Sequence, residues 1–269
     1  MGKGLGAVRS GYWQDLTTTD FGRIDAEQTV ALLPLAAIEQ HGPHLPLSTD
    51  AVINDGIVRS AFERLMGPCT LLVLPAQNLG LSPEHTSFAG TLSVRDATLL
   101  EAWTDIGRSV ARTGVRKLIV FNTHGGQKAL VDLLAVRLRS ELGMLVARAT
   151  YFSFGALPGL FEPAETAHDI HGGEVETSLM LHLRPELVRT GALADFKGLP
   201  HELAARHELL GAEKPVGIGW RAEDLHAAGA CGNAAHADGR RGAQHLDYLG
   251  DRLARLVAEV AATSLTILK

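Results

Sequence analysis

A carboxylate, an imidazole and a second carboxylate stand close together in Ile38-Glu39-Gln40-His41-Gly42-Pro43-His44-Leu45-Pro46-Leu47-Ser48-Thr49-Asp50. Carboxylate oxygens and imidazole nitrogens are the donors that divalent ions take, and Gly with two Pro shapes a loop that can present them. Two further clusters carry the same chemistry, Asn122-Thr123-His124-Gly125-Gly126 and His168-Asp169-Ile170-His171-Gly172-Gly173-Glu174-Val175-Glu176-Thr177. Brought together, the three could ligate one or two divalent ions, a centre suited to hydrolysis.

Each cluster also has a plainer explanation. Glu39 and His41 alone would suit a surface turn, and Gly125-Gly126 permits a tight strand-to-helix turn. Glu174 and Glu176 fall at a helix start, where the macrodipole favours carboxylates. Their i,i+2 spacing points them to different faces, so at most one faces the ions. His171, on a Gly-flanked loop beside the motif, is the candidate general acid for a leaving nitrogen. His85 with its neighbour Glu84, and His44, are candidates for orienting a substrate. His182, His201, His207, His226 and His245 read as surface residues, and His236 as a loop residue.

Elements to position these clusters are legible around them. The apolar runs Thr29–Ala36, Thr70–Pro75, Lys117–Phe121 and Met144–Ala149 read as strands covered on both faces. Helices are expected from about Ala51 to Leu65 with Asp50 as N-cap, over Asp96–Arg112, along Leu130, Leu134, Leu138 and Leu142, over Glu174–Leu183, and from Gly242 to Leu265. The residues before Asp25 read as an irregular arm, and those from Leu187 to Gly239 as loops, short helices and a late edge strand. Alternating strands and helices predict one α/β domain over residues 1–269, three layers (α/β/α) around a mainly parallel sheet, with functional residues beyond the carboxyl ends of the strands.

A chain of 269 residues, 46% apolar and 20% charged, is an ordinary globular protein, and a formal charge of −5 without a basic block argues against nucleic acid as a partner. No apolar run approaches the roughly 20 residues of a membrane span, and the start Met1-Gly2-Lys3-Gly4-Leu5-Gly6 lacks the apolar core of a signal peptide. Cys69 and Cys231 suggest neither a disulfide framework nor a thiolate site, so a cytoplasmic setting is expected. No Gly-x-Gly-x-x-Gly or Walker-type loop follows a strand, and no Gly-x-Ser-x-Gly elbow is present.

The motif Glu39-Gln40-His41-Gly42-Pro43-His44-Leu45-Pro46 with Asp50, the Asn122–Gly126 turn, the segment His171–Ser178, and Glu84-His85 with Phe88-Ala89-Gly90-Thr91 together resemble the creatininase (creatinine amidohydrolase) family, from about Thr29 to Arg189. The resemblance implies an α/β/α fold, a centre of two divalent ions (Zn, Mn or Fe), hydrolysis of a C–N bond in a small, cyclic or formyl amide, and a homo-oligomer, often a hexamer. Carried over residue by residue, Glu39 and His124 bind one ion, His41 the other, and Asp50 bridges them. Creatinine-hydrolysing members have a Glu two residues after the His matching His124, where this chain has Gly126. Members with the Gly-Gly turn have an acidic residue in the later motif; Glu174 stands there and is the expected fifth ligand, leaving Glu176 to bond backbone or a neighbouring side chain. Ala167 and Ile170 replace an aromatic and an acidic residue of those members, so creatinine itself is not the expected substrate. The family also contains metallopeptidases that trim small modified peptides, which is the alternative activity.

Overall fold

Val30 to Leu33 and Leu118 to Phe121 are buried on both faces of their strands, which is why these runs are continuously apolar and do not alternate. In the computed structural model, which describes residues 8–269, they form the centre of a five-stranded parallel sheet. Its strands are β1 (Gly11–Tyr12), β2 (Thr29–Leu35), β3 (Thr70–Val73), β4 (Lys117–Asn122) and β5 (Leu145–Thr150), in the order β1-β3-β2-β4-β5. The start Met1 to Gly6, considered above for a signal peptide, lies outside the described residues.

Eight α-helices lie among the described residues: α1 (Thr49–Phe62), α2 (Asp96–Arg112), α3 (Lys128–Leu142), α4 (Pro163–Thr166), α5 (Glu174–Leu183), α6 (Leu199–Arg206), α7 (Ala222–Leu225) and α8 (Gly239–Ala262). Val30, Leu32, Ile119 and Phe121 project to one side of the sheet, against Ile53 and Ile57 of α1, Leu179 of α5 and Leu249 of α8. Ala31, Leu33, Leu118 and Val120 project to the other, against Leu99 and Trp103 of α2 and Leu134 of α3. This is the expected three-layer α/β/α arrangement around a parallel sheet.

From β2 the chain passes to β3 on one side and returns to β4 on the other, so β2 and β4 flank the point where strand order reverses. In open parallel sheets that crevice, beyond the strand carboxyl ends, is where ligands bind. Pro34 is tolerated inside central β2 because Ala36 N–H bonds to Gln77 on the β3 side. Pro34 has the same parity, and its missing donor therefore faces the place where β3 has already ended.

Some boundaries differ from expectation. Asp50 is inside the first turn of α1 and caps nothing, with Ser48 at the N-cap position. α8 starts earlier than its leucine stripe suggests, because the Asp238 side chain accepts from the backbone N–H groups of Arg240 and Arg241, and it ends at Ala262. The stretch after Leu187 supplies two strand pairs of two-residue strands, β6 (Asp195–Phe196) with β9 (Gly232–Asn233) and β7 (Leu210–Gly211) with β8 (Val216–Gly217). Among the described residues no helix is long and apolar enough to cross a membrane.

Lys117, the first residue of β4, is buried, and its ammonium donates to the carbonyls of Glu27 at 2.7 Å and Ala261 at 2.5 Å. Ala261 lies in the last turn of α8, so the charge also sits at the negative end of that helix. Lys117→Met leaves both carbonyls without a donor and is expected to lower unfolding stability by about 1.5–3 kcal/mol, read as an earlier midpoint in urea with an unchanged slope.

Candidate metal centre

β2 and β4 run side by side to their ends, with Leu35 opposite Asn122, so the loops that follow leave the sheet together. Asn54 of α1 ties them, donating to the Leu35 carbonyl at 3.0 Å and the Phe121 carbonyl at 3.3 Å. In the loop after β4, Asn122 accepts from His124 N–H at 3.1 Å and donates to the His124 carbonyl at 2.6 Å, clamping the turn that presents the imidazole. In the loop after β2, Gly42 has φ +69° and packs against Ala230, where a Cβ would clash with the Ala230 methyl.

The structure brings Glu39, His41, Asp50 and His124 together, all buried. His124 Nδ1 is 3.1 Å from Glu39 Oε1 and 3.4 Å from Asp50 Oδ2. His41 Nε2 is 3.2 Å from Asp50 Oδ1 and 3.8 Å from Glu176 Oε2. Asp50 thus stands between the two imidazoles, one oxygen toward each. Its place in the first turn of α1, just past the loop, gives that reach.

Both imidazoles turn one ring nitrogen inward. His41 Nδ1 donates to the Glu39 carbonyl at 3.0 Å, and His124 Nε2 to the Leu81 carbonyl at 2.8 Å. A carbonyl only accepts, so the outer nitrogen carries a proton; the inner nitrogen faces Asp50 and would ligate once a cation takes the place of its own proton, the arrangement that orients metal-binding histidines. Glu39 Oε2 and Asp50 Oδ2 are buried without a hydrogen-bond partner. The ion-pair partners of Glu39, Asp50 and Glu176 among the described residues are imidazoles only. Burial alone would lower the pKa of His41, but Asp50 and Glu176 beside it outweigh that and hold it up to about 9. Burial pushes Glu39 up, but His124, His85 and His171 hold its carboxyl well below the usual carboxylate range. Carboxylates this closely packed, with unpartnered oxygens and imidazole nitrogens turned toward them, fit divalent cations.

Glu174 is placed elsewhere. Its carboxylate pairs with the Arg241 guanidinium, from α8, and it belongs to none of the residue groups with ligand atoms close enough to hold an ion. Glu176 takes the position beside His41 and Asp50, held by Tyr151 Oη donating to Oε1 at 3.0 Å and Gly172 N–H donating to Oε2 at 2.7 Å. The two carboxylates do point to different faces of α5, but the face turned to the cluster is that of Glu176. A side chain at Gly126 would run into Glu84, whose carboxylate fills that space against His124.

His171 lies between His41 and His85, with ring centroids 4.2 and 4.3 Å away. Its Nε2 donates to the Gln40 carbonyl at 2.6 Å, leaving Nδ1 3.9 Å from Glu39 Oε1. Burial, then His41 and His85 beside it, keeps its pKa well below the usual value. Glu84 and His85 line the same cavity, of about 1060 Å³, and burial raises the Glu84 pKa. His44 does not line it: the ring is buried, stacked on Phe196 at 5.2 Å, with Nε2 at 3.0 Å from the Thr177 hydroxyl.

Other lining residues gave no sequence signal. His245 is buried and lines the cavity from α8 with Nδ1 unpartnered, although its surroundings in the chain look like those of a surface histidine. Trp220, from the aperiodic stretch after Leu187, stands edge-on to His85 with centroids 6.3 Å apart. Tyr151 follows β5 directly, a position beyond a strand end that could have marked it.

Known proteins repeat this architecture. Residues 14–257 match the family model described as creatinine amidohydrolase. The mycofactocin precursor peptide peptidase of Mycobacterium ulcerans is 32% identical over 212 residues, 76% of this chain and 79% of that protein. The creatinine amidohydrolase of Pseudomonas putida is 32% identical over 198 residues, 67% and 75% of the two. A crystal structure of creatinine amidohydrolase (creatininase) superposes with a TM-score of 0.74 at 26% identity, covering 96% of this chain and all of that one; a manganese creatininase gives 0.73 at 25% identity, covering 95% and all. Agreement in sequence and in architecture along nearly the whole chain makes this protein a member of the creatininase family of metal-dependent hydrolases.

Proposed function

We propose that the chain hydrolyses an amide C–N bond at a centre of two divalent ions, with Glu39 and His124 on one, His41 and Glu176 on the other, and Asp50 shared. The observation that carries this reading is the pair of inward ring nitrogens of His41 and His124 facing opposite oxygens of Asp50, with their outer nitrogens committed to carbonyls. Zn or Mn held there would lower the pKa of a water and polarise a carbonyl. Tyr151 and Gly172 N–H fix the Glu176 carboxylate, and Asn122 fixes the His124 backbone. His171, with Nε2 committed to the Gln40 carbonyl, can take a proton at Nδ1 from the attacking water and return it to the leaving nitrogen.

A cavity of about 1060 Å³ is larger than a small cyclic amide needs and suits a longer ligand. That volume, with the peptidase named among the relatives, favours a peptide or modified peptide over a cyclic or formyl amide. The test is a panel of short peptides, lactams, cyclic ureides and formamides, run before and after chelation. Chelation is expected to abolish turnover and added Zn or Mn to restore it, with two equivalents bound per chain by elemental analysis. Turnover that survives complete removal of metal would overturn the proposal, and turnover of cyclic or formyl amides alone would remove the preference for peptides.

A further inference from the structure

Gln40 sits inside the motif between two expected ligands, yet its side-chain amide bonds to Gly42, Gly229 and His85. Its Oε1 accepts from Gly42 N–H at 3.0 Å, and its Nε2 donates to the Gly229 carbonyl at 2.8 Å. A backbone N–H can only donate and a carbonyl only accept, so the amide has one permitted orientation. The turn that delivers this carbonyl is built around the contact: Gly229 has φ +78°, and a Cβ there would clash with Gln40 Oε1.

The second hydrogen on Gln40 Nε2 meets His85 Nδ1 at 2.7 Å. His85 Nδ1 must therefore accept, and the ring proton is on Nε2. That atom faces the cavity, and its nearest carboxylate oxygens, Glu39 Oε1 at 3.5 Å and Glu84 Oε1 at 3.9 Å, lie at the limit of hydrogen bonding or beyond it. On the wall of the cavity, with no carboxylate oxygen closer than 3.5 Å, this donor of a buried ring is free for an oxygen of a bound ligand. The Gln40 backbone carbonyl meanwhile accepts from His171 Nε2 at 2.6 Å, which turns the His171 lone pair inward. One residue thus gives two neighbouring imidazoles opposite characters.

We propose that Gln40 is a positioning residue that holds His85 as the Nε2–H tautomer, so that His85 donates to the carbonyl oxygen of the amide being cleaved and cannot ligate an ion. This rests on the amide-hydrolase reading for the substrate, but the tautomer itself does not. Long-range proton–nitrogen NMR on the zinc-loaded full chain, with the His85 signals assigned by their loss in His85→Gln, is expected to show Nε2 protonated and Nδ1 bare. Protonated Nδ1, or Nε2 shifted by zinc, would overturn the proposal even if no substrate is found.

For activity, Gln40→Met keeps the length of the side chain and removes its donors. It is expected to lower kcat by about 10–100-fold, the usual cost of losing a partner that orients an active-site group, with KM and bound metal little changed. In His85→Gln the amide nitrogen replaces ring Nε2 and needs no tautomer, so adding Gln40→Met there should cost no more than about twofold. An equal cost in both backgrounds would assign Gln40 a merely structural role and overturn the positioning role, as would a fully active Gln40→Met. If Gln40→Met does not fold, the NMR measurement on the unaltered chain decides.

Discussion

His171→Ala is expected to lower kcat by about 10²–10⁴-fold, the usual contribution of a positioned acid or base, with the metal content unchanged. The ring is buried, its Nε2 is spent on the Gln40 carbonyl, and its Nδ1 is the only nitrogen left to face Glu39. Geometry alone would also let that nitrogen join Glu39 and His41 around an ion. The two roles separate by metal analysis, because a ligand's removal releases an ion and a proton carrier's removal does not. A proton carrier is further marked by partial rescue with added imidazole, which enters the space vacated beside His41 and His85. Loss of metal with loss of activity would move His171 into the ligand set and leave the leaving nitrogen without a proton donor.

The elements that hold the site were readable because burial on both faces writes itself into a sequence as unbroken apolar runs. β2 and β4 are such runs, and the amphipathic spacing of Leu99, Trp103 and Val110 gave α2 its observed bounds. All four clustered residues, Glu39, His41, Asp50 and His124, are legible as ligand candidates for a related reason, since the loops that carry them follow strand ends directly. Asp50 is expected both as a ligand and as the cap of α1; its side chain does face His41 and His124, while the cap position falls to Ser48, because a carboxylate at a helix start has the composition of a cap wherever it points. The β6–β9 and β7–β8 pairs have no period to detect in two residues each, so the cavity wall around Trp220 was illegible. His245 was misjudged because its burial depends on Phe161 and Tyr248 packing around it, the first of them distant in the chain.

The choice between Glu174 and Glu176 shows where sequence reasoning stops and what decides it. Both stand in the first turn of α5, and the helix dipole favours each equally. What separates them is the neighbour each meets: Arg241 from α8 for Glu174, and His41, Tyr151 and Gly172 N–H for Glu176. Glu176→Gln keeps the shape and removes the charge facing His41, so bound metal is expected to fall and turnover to drop to background. Glu174→Gln leaves the cluster intact and removes only the charge from the pair, since the Arg241 guanidinium keeps the carbonyls of His236 and Leu160, so turnover and metal content are expected to stay near the parent's while stability falls by about 0.5–1.5 kcal/mol. Elemental analysis and thermal melting of the two variants side by side decide the matter. Metal loss in Glu174→Gln with retention in Glu176→Gln would reverse the assignment, and it would require α5 to turn its other face toward Asp50 when ions bind.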